Sequence, residues 1–207
     1  MPMDMRVVLT EFEGILIIEP EYFQDHRGFF FESYSKRRFA EHGLEHAFVQ
    51  DNHSRSPGGV LRGLHYQNAA APQFRLIRCT LGEIWDVAVD LRVGSPTFGK
   101  WFGVELSAEN KRQVLLPPEF AHGFVVLSEF AEVQYKCTGH HEPSAEASLA
   151  WDDPDVRIPW PISNPILSDR DRNTGTSLKE YLKNPAFTYT PPSRKRTEAR
   201  FGTFAQA

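Results

Sequence analysis

The residues of this chain best suited to chemistry are His65, His122 and Tyr135, with arginines and acids close by in sequence. An imidazole ionises near neutral pH, and a phenol on a cavity wall can give up a proton, so the set points to proton transfer. His65 lies in Val60-Leu61-Arg62-Gly63-Leu64-His65-Tyr66-Gln67. Strand alternation there puts Arg62 and His65 on opposite faces unless Gly63 bends or bulges the strand. Two readings of His65 stand, a hydrogen-bonded structural histidine or a base. His122 follows the rigid Pro117-Pro118 turn and leads into a strand placed at 123–127, as a site wall. Tyr135 shares the apolar face of Glu132–Thr138 with Val133 and Cys137, either as a core anchor or as a proton donor facing a cavity.

Other chemistries lack their residues. Metal-binding β-barrels of this size supply two histidines one residue apart, and the corresponding stretch here is His65-Tyr66-Gln67. The adjacent His140 and His141 sit in a Gly/Pro-rich turn and would diverge on a strand, so they read as solvated and no metal is expected. No Gly-x-Gly-x-x-Gly, no phosphate loop ending in Gly-Lys-Ser/Thr and no Gly-x-Ser-x-Gly elbow occurs. Acid–base work by His, Tyr, Asp and Arg is what remains.

These side chains need a scaffold, and the pattern is one of short strands. In Ile84–Leu91 the residues Trp85, Val87, Val89 and Leu91 alternate with Ile84, Asp86, Ala88 and Asp90. Similar runs are Phe29–Tyr34, Val60–Gln67, Phe74–Thr80, Trp101–Ser107, Gln113–Leu116, Gly123–Leu127 and Ala131–Thr138, separated by turns such as Ser56-Pro57-Gly58-Gly59 and Gly94-Ser95-Pro96. Strands at such spacing indicate an all-β barrel whose inward side chains converge on one mouth. Ser35 caps a helix at Lys36–His42 stopped by Gly43, and Ser177 with Glu180 caps one at Leu178–Lys183. The expected organisation is a single domain over 1–190 and a loosely ordered tail over 191–207.

The 207-residue chain is 41% hydrophobic and 24% charged, within the globular range. A net charge of −4 gives no attraction to nucleic acid, and apolar runs such as Gly14–Ile18 fall far short of a membrane span. That run is expected to pair across subunits. Cys79 and Cys137 read as core hydrophobes, and with no export signal visible the expected compartment is the cytoplasm.

Several longer runs resemble the dTDP-4-dehydrorhamnose 3,5-epimerase family. They include Asp25-His26-Arg27-Gly28-Phe29-Phe30-Phe31-Glu32-Ser33, Gln50-Asp51-Asn52-His53-Ser54-Arg55-Ser56, the Gly59–Gln67 segment, Gly82–Asp90, Gly94–Gly99, Phe120–Phe124 and Leu167-Ser168-Asp169-Arg170-Asp171. The resemblance implies a cupin-like jelly-roll β-barrel with short peripheral helices, forming a homodimer and using no cofactor. The implied activity is epimerisation of a dTDP-linked 4-keto-6-deoxyhexose, dTDP-4-dehydro-6-deoxy-D-glucose, at C3 and C5. By that analogy His65 is the general base, Asp171 its carboxylate partner and Tyr135 the proton donor on the opposite face. Arg62 sits by the diphosphate or keto oxygen, Arg27, Glu32, Gln50 and Asn52 bind the nucleotide, Phe30 lies near the base and His122 lines the pocket. Where the family commonly carries Gly-Lys-Leu or Ala-Lys-Leu, this chain has Phe74-Arg75-Leu76, so Arg75 replaces a lysine and Phe74 is expected to reshape the pocket. Alternatives are a 3- or 5-monoepimerase, a metal-dependent cupin and a non-catalytic sugar-nucleotide binding module.

Overall fold

A computed structural model describes residues 3–191. Its first sheet contains six strands: β1 (Met5–Leu9), β2 (Leu16–Pro20), β5 (Gln50–Pro57), β7 (Arg75–Leu81), β11 (Gln113–Leu116) and β13 (Phe130–Cys137), in the spatial order β1-β2-β11-β7-β13-β5. The second contains β6 (Leu61–Gln67), β8 (Glu83–Asp90), β10 (Trp101–Ser107), β12 (Phe120–Val126) and β14 (Glu146–Ser148), ordered β10-β8-β12-β6-β14. Every pairing within the two sheets is antiparallel, and neighbours in space are mostly distant in sequence, as in a jelly-roll sandwich. A hairpin of β3 (Phe23–Asp25) and β4 (Gly28–Phe30) and a short parallel pair of β9 (Arg92–Val93) with β15 (Phe187–Thr188) stand outside them.

Strand alternation explains the layering. Ile77 and Cys79 of β7, Val133 of β13, Ile84 and Ala88 of β8, and Phe120, Phe124 and Val126 of β12 meet between the sheets in the main core. The alternate residues of the five-stranded sheet, Leu64, Val87 and Val89, pack outward beneath Val156, Leu178, Tyr181 and Phe187. On the far side of the six-stranded sheet, Leu16, Ile18, Leu76 and Leu115 are covered by Phe39 and Leu44. Phe39 belongs to α1 (Lys36–Glu41), capped by Ser35, whose hydroxyl accepts from the Arg38 N–H; α3 (Leu178–Tyr181) is capped in the same way by Ser177. A third helix, α2 (Asp169–Asn173), begins at Ser168.

Some expectations are corrected. The apolar run ending at Ile18 does not await a partner subunit; Leu16–Pro20 is already sandwiched between β1 and β11 of the same chain. The strand expected over Phe29–Tyr34 is reduced to Gly28–Phe30, and the strand expected to follow His122 starts at Phe120, so His122 lies within it. Both cysteines are unpaired and buried, and burial pushes the Cys79 thiol up to about 11. Of the tail expected over 191–207, residues 192–207 lie outside the described residues. No helix among the described residues is long and apolar enough to cross a membrane.

Candidate active site

The site is set by an irregularity in β6. His65 stands opposite His122 and Arg62 opposite Phe124, so Gly63 and Leu64 together face the single residue Gly123. This is a bulge, and the extra residue reverses the alternation across it, bringing Arg62 to the same inner face as His65. Gly63 has φ +131°, and a β-carbon there would lie 2.5 Å from the Gly123 α-carbon, so both conformation and contact demand glycine.

His65 Nε2–H donates to Asp171 Oδ1 at 2.5 Å, and Asp171 is buried while the imidazole is about a quarter exposed, with 26% side-chain exposure. Asp171 is the third residue of α2, and its own N–H bonds the Ser168 hydroxyl. Burial alone would raise its pKa, but the hydrogen bond and charge of His65, with hydrogen bonds from the Ser168 hydroxyl and the Gly63 N–H, hold it below the ordinary carboxylate range. The carboxylate is therefore ionised at neutral pH and occupies one ring nitrogen, leaving Nδ1 as the basic atom.

Facing this dyad across the sandwich, Tyr135 of β13 shares its side with Val133 and Cys137. Burial raises its phenol pKa, opposed by the charges of Arg75 and Arg62, so the neutral, proton-bearing form dominates at pH 7. Arg62 of β6 reaches the opposing sheet, its Nε donating to Ser56 Oγ of β5 at 3.0 Å. Arg75 donates from Nη1 to the His65 carbonyl at 3.4 Å. Asn52 pairs in register with Tyr135, and Gln50 with Cys137, so both amides share the Tyr135 face; Gln50 Nε2 donates to Asn52 Oδ1 at 3.1 Å. The structure thus brings together His65, Asp171, Tyr135, Arg62, Arg75, Gln50, Asn52 and His122.

Phe74 does not join them. As the neighbour of inward Arg75 it points outward, 4.1 Å between ring centroids from His46 and packed with Tyr34 and Phe48, so its bulk does not enter the site. Arg27, Phe30 and Glu32 are also apart. Arg27 and Phe30 lie on the exposed β3–β4 hairpin, with Arg27 paired to Asp25, and Glu32 follows it 3.9 Å from Arg38.

Sequence reasoning did not single out Asp86, which is buried and receives a 2.8 Å hydrogen bond from His122 Nε2. The signal was present, because an acid in the middle of a strand as apolar as Ile84–Val89 needs a buried partner. His141, read as solvated, is exposed and pairs with Glu146, which also binds Arg170 beside the dyad.

Comparison with known proteins fits this geometry. The family model for dTDP-4-dehydrorhamnose 3,5-epimerase matches residues 9–180. The chain belongs to that family. A dTDP-4-dehydrorhamnose 3,5-epimerase of Pseudomonas aeruginosa is 56% identical over 170 residues, covering 81% of this chain and 93% of the relative. The dTDP-6-deoxy-D-glucose-3,5-epimerase of Legionella pneumophila, solved with dTDP-4-keto-L-rhamnose, superposes with a TM-score of 0.85 at 46% identity, covering 90% of this chain and all of the other, 100%. A dTDP-4-dehydrorhamnose 3-epimerase of Streptomyces niveus is 39% identical over 170 residues, 82% of each chain. This epimerase-family chain is accordingly an isomerase with the cupin-like jelly-roll fold of its relatives.

Proposed function

We propose that the protein inverts C3 and C5 of dTDP-4-dehydro-6-deoxy-D-glucose. Hydrogens on both carbons flank the C4 ketone, so removal of either leaves an enolate rather than an isolated carbanion. His65 Nδ1 takes the proton, and Asp171 favours the imidazolium that results. The electron pair moves onto the C4 oxygen, where the guanidinium groups of Arg62 and Arg75 offset the charge. Tyr135 returns a proton to the same carbon from the opposite face, and exchange with solvent resets both groups. No electron is transferred overall, so the chemistry requires no redox partner.

The observation that carries this reading is the placement of a carboxylate-held imidazole and a protonated phenol on opposing sheets of one sandwich. Gln50 and Asn52 then hold the nucleotide, with His122 on the wall. The homodimer is part of the proposal, because Arg27, Phe30 and Glu32 serve the nucleotide in a neighbouring subunit more readily than in their own. Residues 1–190 act as one domain, in the cytoplasm, where a nucleotide sugar is made and consumed.

Proton NMR in deuterated water with dTDP-4-dehydro-6-deoxy-D-glucose tests the reaction. Washout at both C3 and C5 is the expected result; loss at one position alone makes the protein a monoepimerase, and loss at neither refutes the assignment. Asp171→Asn should lower turnover by about 10²-fold.

A further inference from the structure

His65 has a buried counterpart. Along the inner face of the five-stranded sheet, His122 sits directly opposite His65 on one side and Ala88 on the other, and reaches diagonally to Asp86 on β8. Cross-strand partners in an antiparallel pair have β-carbons about 5 Å apart. Two imidazole–carboxylate pairs therefore stand side by side, in the order Asp171, His65, His122, Asp86. They differ in access. His65 is about a quarter exposed, whereas His122 has 9% side-chain exposure and Asp86 has 2%.

From this juxtaposition we infer that Asp86 is a positioning residue of the epimerase, acting through His122. An ionised carboxylate has only acceptor atoms, so its contact with Nε2 requires that nitrogen to carry the hydrogen. In the neutral ring the other nitrogen, Nδ1, is then a lone-pair acceptor. Asp86 thereby gives His122 a fixed role beside the base. It accepts a hydrogen bond from a hydroxyl of the bound sugar and holds the ring so that the carbon to be deprotonated faces His65. Without Asp86 the imidazole can take the opposite tautomer and present an N–H, which repels that hydroxyl hydrogen. The same exchange would remove a negative charge from the neighbourhood of the imidazolium formed on His65. This role rests on the reading of His65 as base.

Long-range proton–nitrogen NMR correlations on the histidine-labelled full chain test it directly. The neutral His122 ring should carry its proton on Nε2; a proton on Nδ1 in the unaltered protein overturns the inference, whatever the variants do. Asp86→Asn should shift population towards the Nδ1–H form and lower kcat about 10- to 100-fold, with dTDP affinity by calorimetry within about threefold of the parent. Added to His122→Gln, Asp86→Asn should change kcat by less than about twofold, because residues that act as one unit are not additive. Full additivity, or an Asp86→Asn enzyme with unaltered kcat, overturns it. The underlying base reading fails separately: His65→Ala with undiminished turnover would reject that role and leave the His122 tautomer unchanged.

Discussion

Two buried carboxylates in this molecule do opposite things. Asp90, at the end of β8, accepts from Arg92 through both oxygens, from the Ser95 and Thr97 hydroxyls and from the Arg92 N–H. Arg92 in turn donates to the Glu13 carbonyl and lies 4.7 Å from the centre of the Phe120 ring. Both Asp90 oxygens are fully engaged, and the cluster ties β8, the following turn and the loop before β2 into one piece. Asp171 also accepts from a nitrogen donor, but that partner is an imidazole with one nitrogen left over. Saturation makes a structural bolt; one unsatisfied atom beside an opening makes a reactive group. Both carboxylates are held below their ordinary range against the cost of burial, so the pKa direction alone does not tell them apart.

The contrast can be broken at either end. His65→Ala should have the largest effect, about 10³-fold on kcat, with the melting temperature nearly unchanged; turnover within tenfold of the parent would place the base elsewhere. Asp90→Asn should leave the reaction intact per folded molecule but cost roughly 3 kcal/mol in urea denaturation at pH 7, because it strands a buried guanidinium. The sign with pH follows from the lowered Asp90 pKa. Its contribution is fully present above the unfolded value of about 4 and is lost as pH falls through the lower folded value, so parent and variant should converge only in acid. A constant difference down to the lowest measurable pH would deny the ion pair its role. Tyr135→Phe comes next, with net inversion slowed about 10²-fold while exchange of the abstracted hydrogen with solvent persists; equal loss of both would argue against Tyr135 as the acid. Arg75→Lys should be the mildest, under tenfold in kcat/KM, since either cation can face the enolate. A larger loss would mean that the hydrogen bond to the His65 carbonyl needs the planar fork.

The sequence was most readable where one face of a strand is apolar. Trp101–Ser107 and Gln113–Leu116 were located to the residue, and both capped helices begin where their serines indicated. β5 was invisible as a strand because the residues sharing its inner side, Gln50, Asn52, Ser54 and Ser56, are as polar as the outer ones; the site removes the alternation that would reveal its wall. β2 and β14 are short, and what fixes them in the sheets is pairing with strands remote in sequence, β11 and β6. In the site, the Tyr135 face followed from alternation and the family roles from longer runs. The relation of Arg62 to His65 turned on whether Gly63 bulged, which no local pattern decides. Asp86 needed its cross-strand geometry before its partner could be named.

The Gly63 bulge makes the catalytic side of β6 a matter of counting. Flattening the bulge without changing the number of residues would delete no functional group, yet restoring the plain two-residue period from Arg62 to His65 would turn the guanidinium and the imidazole to opposite faces. The two glycines in contact there, Gly63 and Gly123, hold that count in place from behind, and a methyl group on either would press on opposing backbone. An inventory of side chains would miss such a lesion entirely, since it would show every reactive group still in the chain while the strand carried them on the wrong sides.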